Sequence, residues 1–245
     1  MNTAVKYVAD LKHVREVSLL GTADLAFWAD RLRKEGLVPA EQDGKAQLLV
    51  IAADAKFLGV RFRELSFSVL VSGHGQGAFL IQAFNSSRLF AFCERAFFST
   101  PYYHGDVRVS AAFPASIELT AGGGAVFRAR MQGASAPGEG LARGGEDGWE
   151  GPVFLPAGRH GKGRPGNLFF ARIRGHTRAY PFLPSGDSLT VRPSADSGAL
   201  QALADSHFAG MEWAVREDAT HAKSKTYKRS ESLLEWARVG QAGEA

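Results

Sequence analysis

A single cysteine, Cys93, in 245 residues rules out an intramolecular disulfide framework and a thiolate zinc site. That usage fits a reducing, cytoplasmic setting. No uninterrupted apolar run approaches the ~18 residues a membrane-spanning helix needs. The N-terminal MNTAVKYVADLKHVREVSLLG is broken by charges every few residues, so no signal-peptide core is read there. Excess charge is also small. With 29 Lys and Arg against 25 Asp and Glu, the net +4 gives a shallow field. Zinc-finger, RNA-recognition and basic-zipper patterns are missing, and no nucleic-acid partner is expected. The densest basic stretch, His221 to Arg229 (HAKSKTYKR), reads as a solvated segment. The histidines show no HxH or HExxH spacing, so no metal is indicated. The SGHGQG run lacks the lysine and Ser/Thr of a phosphate loop, and no G-x-S-x-G nucleophile elbow occurs. No cofactor is indicated.

What is present is ample apolar content, 45% of residues, enough to bury a core in one domain spanning 1–245. Thr22 to Lys34 reads as a helix, with Thr22 as N-cap, Asp24 in the first turn and Leu25, Trp28 and Leu32 in one stripe. Ser87 to Phe98 reads as a second, with Leu89, Phe92, Cys93, Ala96 and Phe97 as its core face and Pro101 ending it. Cys93 is expected there as a small buried hydrophobe. Most of the remainder reads as strands: 47–53, 62–71, 78–84, 107–113, 116–120, 125–131, 168–175, 177–183, 188–192 and 211–216, with AGGG joining two of them. A short helix fits 197–206, and a closing helix and tail are expected at the C-terminus (228–245). The glycine- and proline-rich stretch 132–166 reads as a long loop, part of it docked through Trp149, Val153, Phe154 and Leu155. The fold class is therefore α+β but mainly β, an antiparallel barrel or double sheet with a few flanking helices.

Two places carry chemistry-bearing side chains. At the corner after the second helix, Tyr102, Tyr103, His104 and Asp106 follow Pro101 in close succession before a strand. Such a corner can aim groups into a cavity, and histidine suits proton transfer near neutral pH. Glu64 lies in an otherwise apolar strand (GVRFRELSFSVLV). If it faces inward, burial raises its pKa unless a cation or donors hold the anion. The alternatives are a packed turn with a solvated histidine, and a Glu64 paired with surface arginines such as Arg61 or Arg63.

The run AFLIQAFNSSRLFAFCERAFFSTPYYHGDVRV resembles the central segment of the acetoacetate decarboxylase superfamily. There, a strand ends near an asparagine, and a helix ends in an arginine-containing motif. A proline and the reactive lysine follow. SRLFAFCERAFFSTPYYHGDVRV resembles more closely the YqjF-like branch of bacterial proteins, and NLFFARIRGHTRAYPFL also fits the order of elements. The resemblance implies a cone-like antiparallel barrel wrapped by a second sheet around a closed apolar pocket, in a protein that forms homo-oligomers. In such a pocket, the polar corner and the carboxylate in an apolar strand give expected catalytic roles to Tyr102, His104 and Glu64, and substrate-binding roles to Arg95, Tyr103 and Asn85. Relatives decarboxylate a β-keto acid through a lysine Schiff base. Here the residue after Pro101 is Tyr102, a phenol that cannot form an imine, and the helix motif reads Glu94-Arg95-Ala96. The arginine of the first strand is replaced by Gly21 or a neighbour. The expectation is a lysine-less relative performing non-covalent acid–base chemistry, of lyase or isomerase type, on a small carbonyl or carboxylic acid compound. The alternative is a protein that binds a small molecule without turning it over.

Overall fold

Long alternating strands, few helix-forming runs and tight glycine turns produce a sheet that closes on itself. The computed structural model describes residues 5–72, 77–132, 141–142, 147–157, 166–195 and 197–229. In chain order the elements are β1 (Tyr7–Asp24), α1 (Leu25–Arg33), β2 (Lys45–Phe57), β3 (Val60–Ser72), β4 (Gly77–Asn85), α2 (Arg88–Phe98), β5 (Tyr102–His104), β6 (Asp106–Ser110), β7 (Ser116–Ala121), β8 (Ala125–Arg130), β9 (Asp147–Phe154), β10 (Asn167–Gly175), β11 (Arg178–Pro181), β12 (Ser188–Arg192), α3 (Gly198–Asp205) and β13 (Ala209–Ser224). Two-residue bridges at Val38–Pro39, Glu41–Gln42, Leu141–Ala142 and Tyr227–Lys228 extend the larger sheet.

Seven strands close a ring in the order β13-β1-β2-β3-β4-β9-β10, with β10 pairing back to β13. Only the β4–β9 contact within the ring is parallel. A second antiparallel sheet, β12-β8-β7-β6, covers one side. The strand period of two separates the barrel's faces. Outward-facing Val17, Leu19, Leu48, Val50, Leu65 and Phe67 join Ile117, Leu119 and Phe127 of the second sheet in the main core. The Phe67 and Phe127 rings meet edge to face with centroids 5.2 Å apart. Trp28 and Leu32 of α1 and Leu200 and Leu203 of α3 are buried in the same core. Gln82 Oε1 accepts from the N–H of Ala199, which ties the start of α3 to the barrel.

Several expectations are refined. Asp24, not Thr22, caps α1, its carboxylate accepting from Phe27 N–H at 2.6 Å. Ser87 caps α2, and Ser99 ends it in the left-handed conformation. Residues Asp147–Phe154, expected within a loop, form barrel strand β9, because Val153 and Phe154 pair with Ala78 and Phe79 of β4. The expected core face of α2 points outward: Leu89, Phe92 and Phe97 are exposed at 65%, 54% and 74%. The inward face is Phe90, Cys93, Glu94 and Phe98. Phe90 closes that end of the barrel, its ring 5.1 Å from Phe62 and 6.2 Å from Phe57. The expected closing helix lies outside the described residues. No helix among the described residues is long and apolar enough to cross a membrane.

Candidate functional site

The barrel's inner face is not filled by side chains. It encloses a cavity of about 1060 Å³, above the usual range for ligand pockets. All seven ring strands contribute, with alternate residues such as Leu49, Ile51 and Ala53 on β2 or Ser66, Ser68 and Leu70 on β3, and α2 supplies the lid. Most of the wall is apolar. Among the polar side chains on it, two hydrogen-bonded groups stand out.

The first unites two of the sequence candidates. The parallel pairing of β5 with β4 sets Tyr102 beside Ala83, and Glu64 pairs with Asn85 on the other edge of β4. The Tyr102 phenol, buried among Leu80, Ala83, Val153 and Phe169, donates to Glu64 Oε1 at 2.7 Å. Burial pushes the Glu64 carboxyl above its ordinary value, and the nearby Glu94 charge adds to that rise. The Tyr102 hydrogen bond, Lys223 and His221 pull the other way without reversing it. Burial and the two carboxylates drive the Tyr102 phenol well above the ordinary tyrosine value, so it remains a donor. Asn85 lines the same wall, its Oδ1 accepting from Ser87 N–H at 2.8 Å as the chain turns into α2.

The remaining candidates lie elsewhere. His104, paired with Asn85 at the end of β4, is exposed and does not line the cavity. Tyr103 points outward from β5, 43% exposed, with the Arg95 guanidinium over its ring at 5.6 Å. Arg95 is exposed, one position off the inward row of α2. Gly21, one candidate for the position of the expected arginine, is not on the cavity wall; β1 presents Glu16, Ser18 and Leu20 there instead.

An amine reaches the site from a segment that the sequence suggests is solvated. Residues His221 and Lys223 are the last inward members of β13, not part of a free basic run. The Lys223 ammonium pairs with the Glu94 carboxylate, which also accepts from Thr100 Oγ1 at 2.8 Å. It lies over the rings of Phe169, Tyr102 and Phe98 at 4.6, 5.2 and 5.2 Å.

The second polar group is centred on Glu16 of β1, fully buried, with Ser18, Arg216 and His221 around its carboxylate. Sequence pattern gives little sign of it, because irregular register between β1 and β13 changes which residues face inward. Inward residues are Glu212, Ala214 and Arg216 on one side of the irregularity and His221 and Lys223 on the other, a switch from even to odd numbers. Among the described residues no cluster of three His, Cys, Asp or Glu side chains could hold a metal ion.

Solved structures share this architecture. An acetoacetate decarboxylase is 16% identical, covering 91% of this chain and 90% of its own, with a TM-score of 0.59. The acetoacetate decarboxylase of Legionella pneumophila is 14% identical, with coverage of 93% and 90% and a TM-score of 0.57. An acetoacetate decarboxylase-like enzyme from Sphingomonas wittichii RW1 is 13% identical, with coverage of 90% and 92% and a TM-score of 0.56. No protein-family model and no curated protein matches the chain. The chain thus has the acetoacetate decarboxylase-like fold.

Proposed function

We propose that this protein binds a small carbonyl or carboxylic acid compound inside the barrel and acts on it by non-covalent acid–base chemistry of the lyase or isomerase type. The observation that carries the reading is the Tyr102–Glu64 hydrogen bond of 2.7 Å on an apolar cavity wall. A buried carboxyl pushed above its ordinary pKa, and oriented by the phenol that donates to it, is suited to give a proton to a carbonyl oxygen, where negative charge develops during enolisation. Asn85, on the same wall, is a further polar contact for the substrate. No imine forms at the position after Pro101, where the side chain is a phenol. Lys223 serves instead as a fixed positive charge, because an ammonium engaged by Glu94 has no lone pair to offer a carbonyl carbon.

A thermal-shift screen with keto acids, aromatic acids and fatty acids, followed by product detection on every compound that binds, tests this. Turnover lost in both Tyr102→Phe and Glu64→Gln supports the reading, and turnover retained in both refutes it. The cavity of about 1060 Å³ favours a second reading, a carrier of an apolar small molecule, for which binding occurs without product.

A further inference from the structure

The cavity holds two carboxylates in opposed settings. Glu64 is pushed up. Glu16 is held down: burial would raise it, but the His221 hydrogen bond and charge, the Arg216 charge and the Ser18 hydroxyl outweigh burial and lower it to about 2. Ser18 Oγ donates to Glu16 Oε1 at 2.8 Å and Arg216 Nη1 to the same oxygen at 2.5 Å. His221 Nε2 sits 2.5 Å from Oε2. Two carboxyls driven apart within one site mark an acid end and a base end.

Hydrogen-bond logic fixes the histidine. An ionised carboxylate only accepts, so Nε2 carries the hydrogen it shares with Glu16, and a neutral ring keeps its lone pair on Nδ1. No described residue is bonded to Nδ1, and the ring lines the cavity with 18% of the side chain exposed. A buried carboxylate behind an imidazole fixes the ring's orientation and stabilises the imidazolium formed on proton uptake. Other charged groups on the cavity wall are Glu212, Arg216 and Lys223 on β13, Glu64 on β3, Arg172 on β10, Glu94 on α2 and Glu41 ahead of β2.

We propose that His221, oriented by Glu16, is the general base of this cavity, removing a proton from the carbon beside the carbonyl of a small ketone or keto acid. The inference rests on the reading of Tyr102 and Glu64 given above. The C–H bond breaks, and its proton passes to Nδ1. Its electron pair becomes the new C=C bond, while the carbonyl oxygen takes the proton of Glu64. Charge balances as an imidazolium and a carboxylate. Return of a proton from Nδ1 to the same carbon, with the enol proton going back to Glu64, restores the ketone and completes an exchange.

Two measurements test it. The first uses the protein alone. Long-range proton–nitrogen NMR of the ¹⁵N-labelled chain, with His221 assigned by His221→Gln, is followed from pH 5 to 10. The expected result is that the neutral ring is the Nε2–H tautomer. An Nδ1–H tautomer, or an Nδ1 that never loses its proton, overturns the proposal. The second follows deuterium uptake beside the carbonyl of levulinate and 2-oxobutanoate in D₂O. The wild type accelerates exchange of at least one, and His221→Gln, which keeps a donor toward Glu16, loses at least about 100-fold. Exchange of both probes at the rate seen without protein, or His221→Gln at the wild-type rate, overturns it. Glu64→Gln separates the two ideas. Exchange that needs Glu64 but not His221 removes the base and leaves the acid. Exchange that needs His221 but not Glu64 keeps the base and removes the earlier reading.

Discussion

The Lys223 ammonium lies 5.2 Å from the centre of the Tyr102 ring, so the amine of this cavity stands against the phenol that follows Pro101. It comes from β13, on the far side of the barrel in sequence, and Glu94 of α2 engages it. In the proposed reading its role is electrostatic. Borohydride reduction in the presence of acetoacetate is expected to leave the protein mass unchanged, and a stable adduct on Lys223 would refute this view. Lys223→Met strands Glu94, a partly buried carboxylate with Thr100 as its other donor. That substitution is expected to cost roughly 1–3 kcal/mol, read from urea midpoints.

Tyr102→Phe removes a donor that lowers Glu64. The sign follows directly: without the phenol, burial and Glu94 act less opposed, so the carboxyl titrates at higher pH than in the wild type. Carbon-13 NMR of the Glu64 carboxyl should show that rise, with stability reduced by about 1 kcal/mol. A downward movement of Glu64 would mean that the 2.7 Å contact does not hold the anion.

Gly21 sits opposite Gly210 between β1 and β13. A Cβ at Gly21 would lie 2.3 Å from the carbonyl oxygen of Ala209 and 2.5 Å from the Phe208 ring. Backbone cannot yield as a flexible side chain can, so Gly21→Ala should destabilise by about 3 kcal/mol, at the upper end of ordinary overpacking. A thermal midpoint equal to the wild type would contradict the close approach.

The elements with clean periodicity are legible in the sequence: α2 from its Ser87 cap to Phe98, and the strands around Glu64, Phe127 and Leu189. The Tyr102–Glu64 pair was reachable too, since each side chain breaks an apolar context. Three things were hidden. Charged residues lining a cavity imitate a solvated face, which disguised the HAKS stretch of β13. Irregular pairing between β1 and β13 breaks the alternation that would have grouped Glu16 with Arg216 and His221. The apolar stripe of α2 proved an outer face, because the row toward the cavity carries Glu94 for Lys223.

His104 provides a control. It belongs to the same corner as Tyr102 but is exposed and off the cavity wall. His104→Ala is expected to leave both ligand-induced thermal shift and deuterium exchange within twofold of the wild type. A tenfold loss would place a working group outside the described cavity wall.

Glu16 ties the site to stability. Its folded-state pKa of about 2 lies below the ordinary 4.5, so the folded state favours the anion. A group depressed on folding contributes stability that is complete above its unfolded pKa. That contribution drains away as pH falls through the folded value. The window is therefore about pH 4.5 down to 2, and the contribution is on the order of 3 kcal/mol. Urea midpoints of the wild type should fall steeply across that window. Glu16→Gln has no carboxyl to protonate. It should be less stable at neutral pH, where Arg216 and His221 lose their anion, and its midpoints should be flatter below pH 4.5. Parallel curves for the two proteins between pH 5 and 2 would show that the Glu16 carboxylate is not held by its three donors.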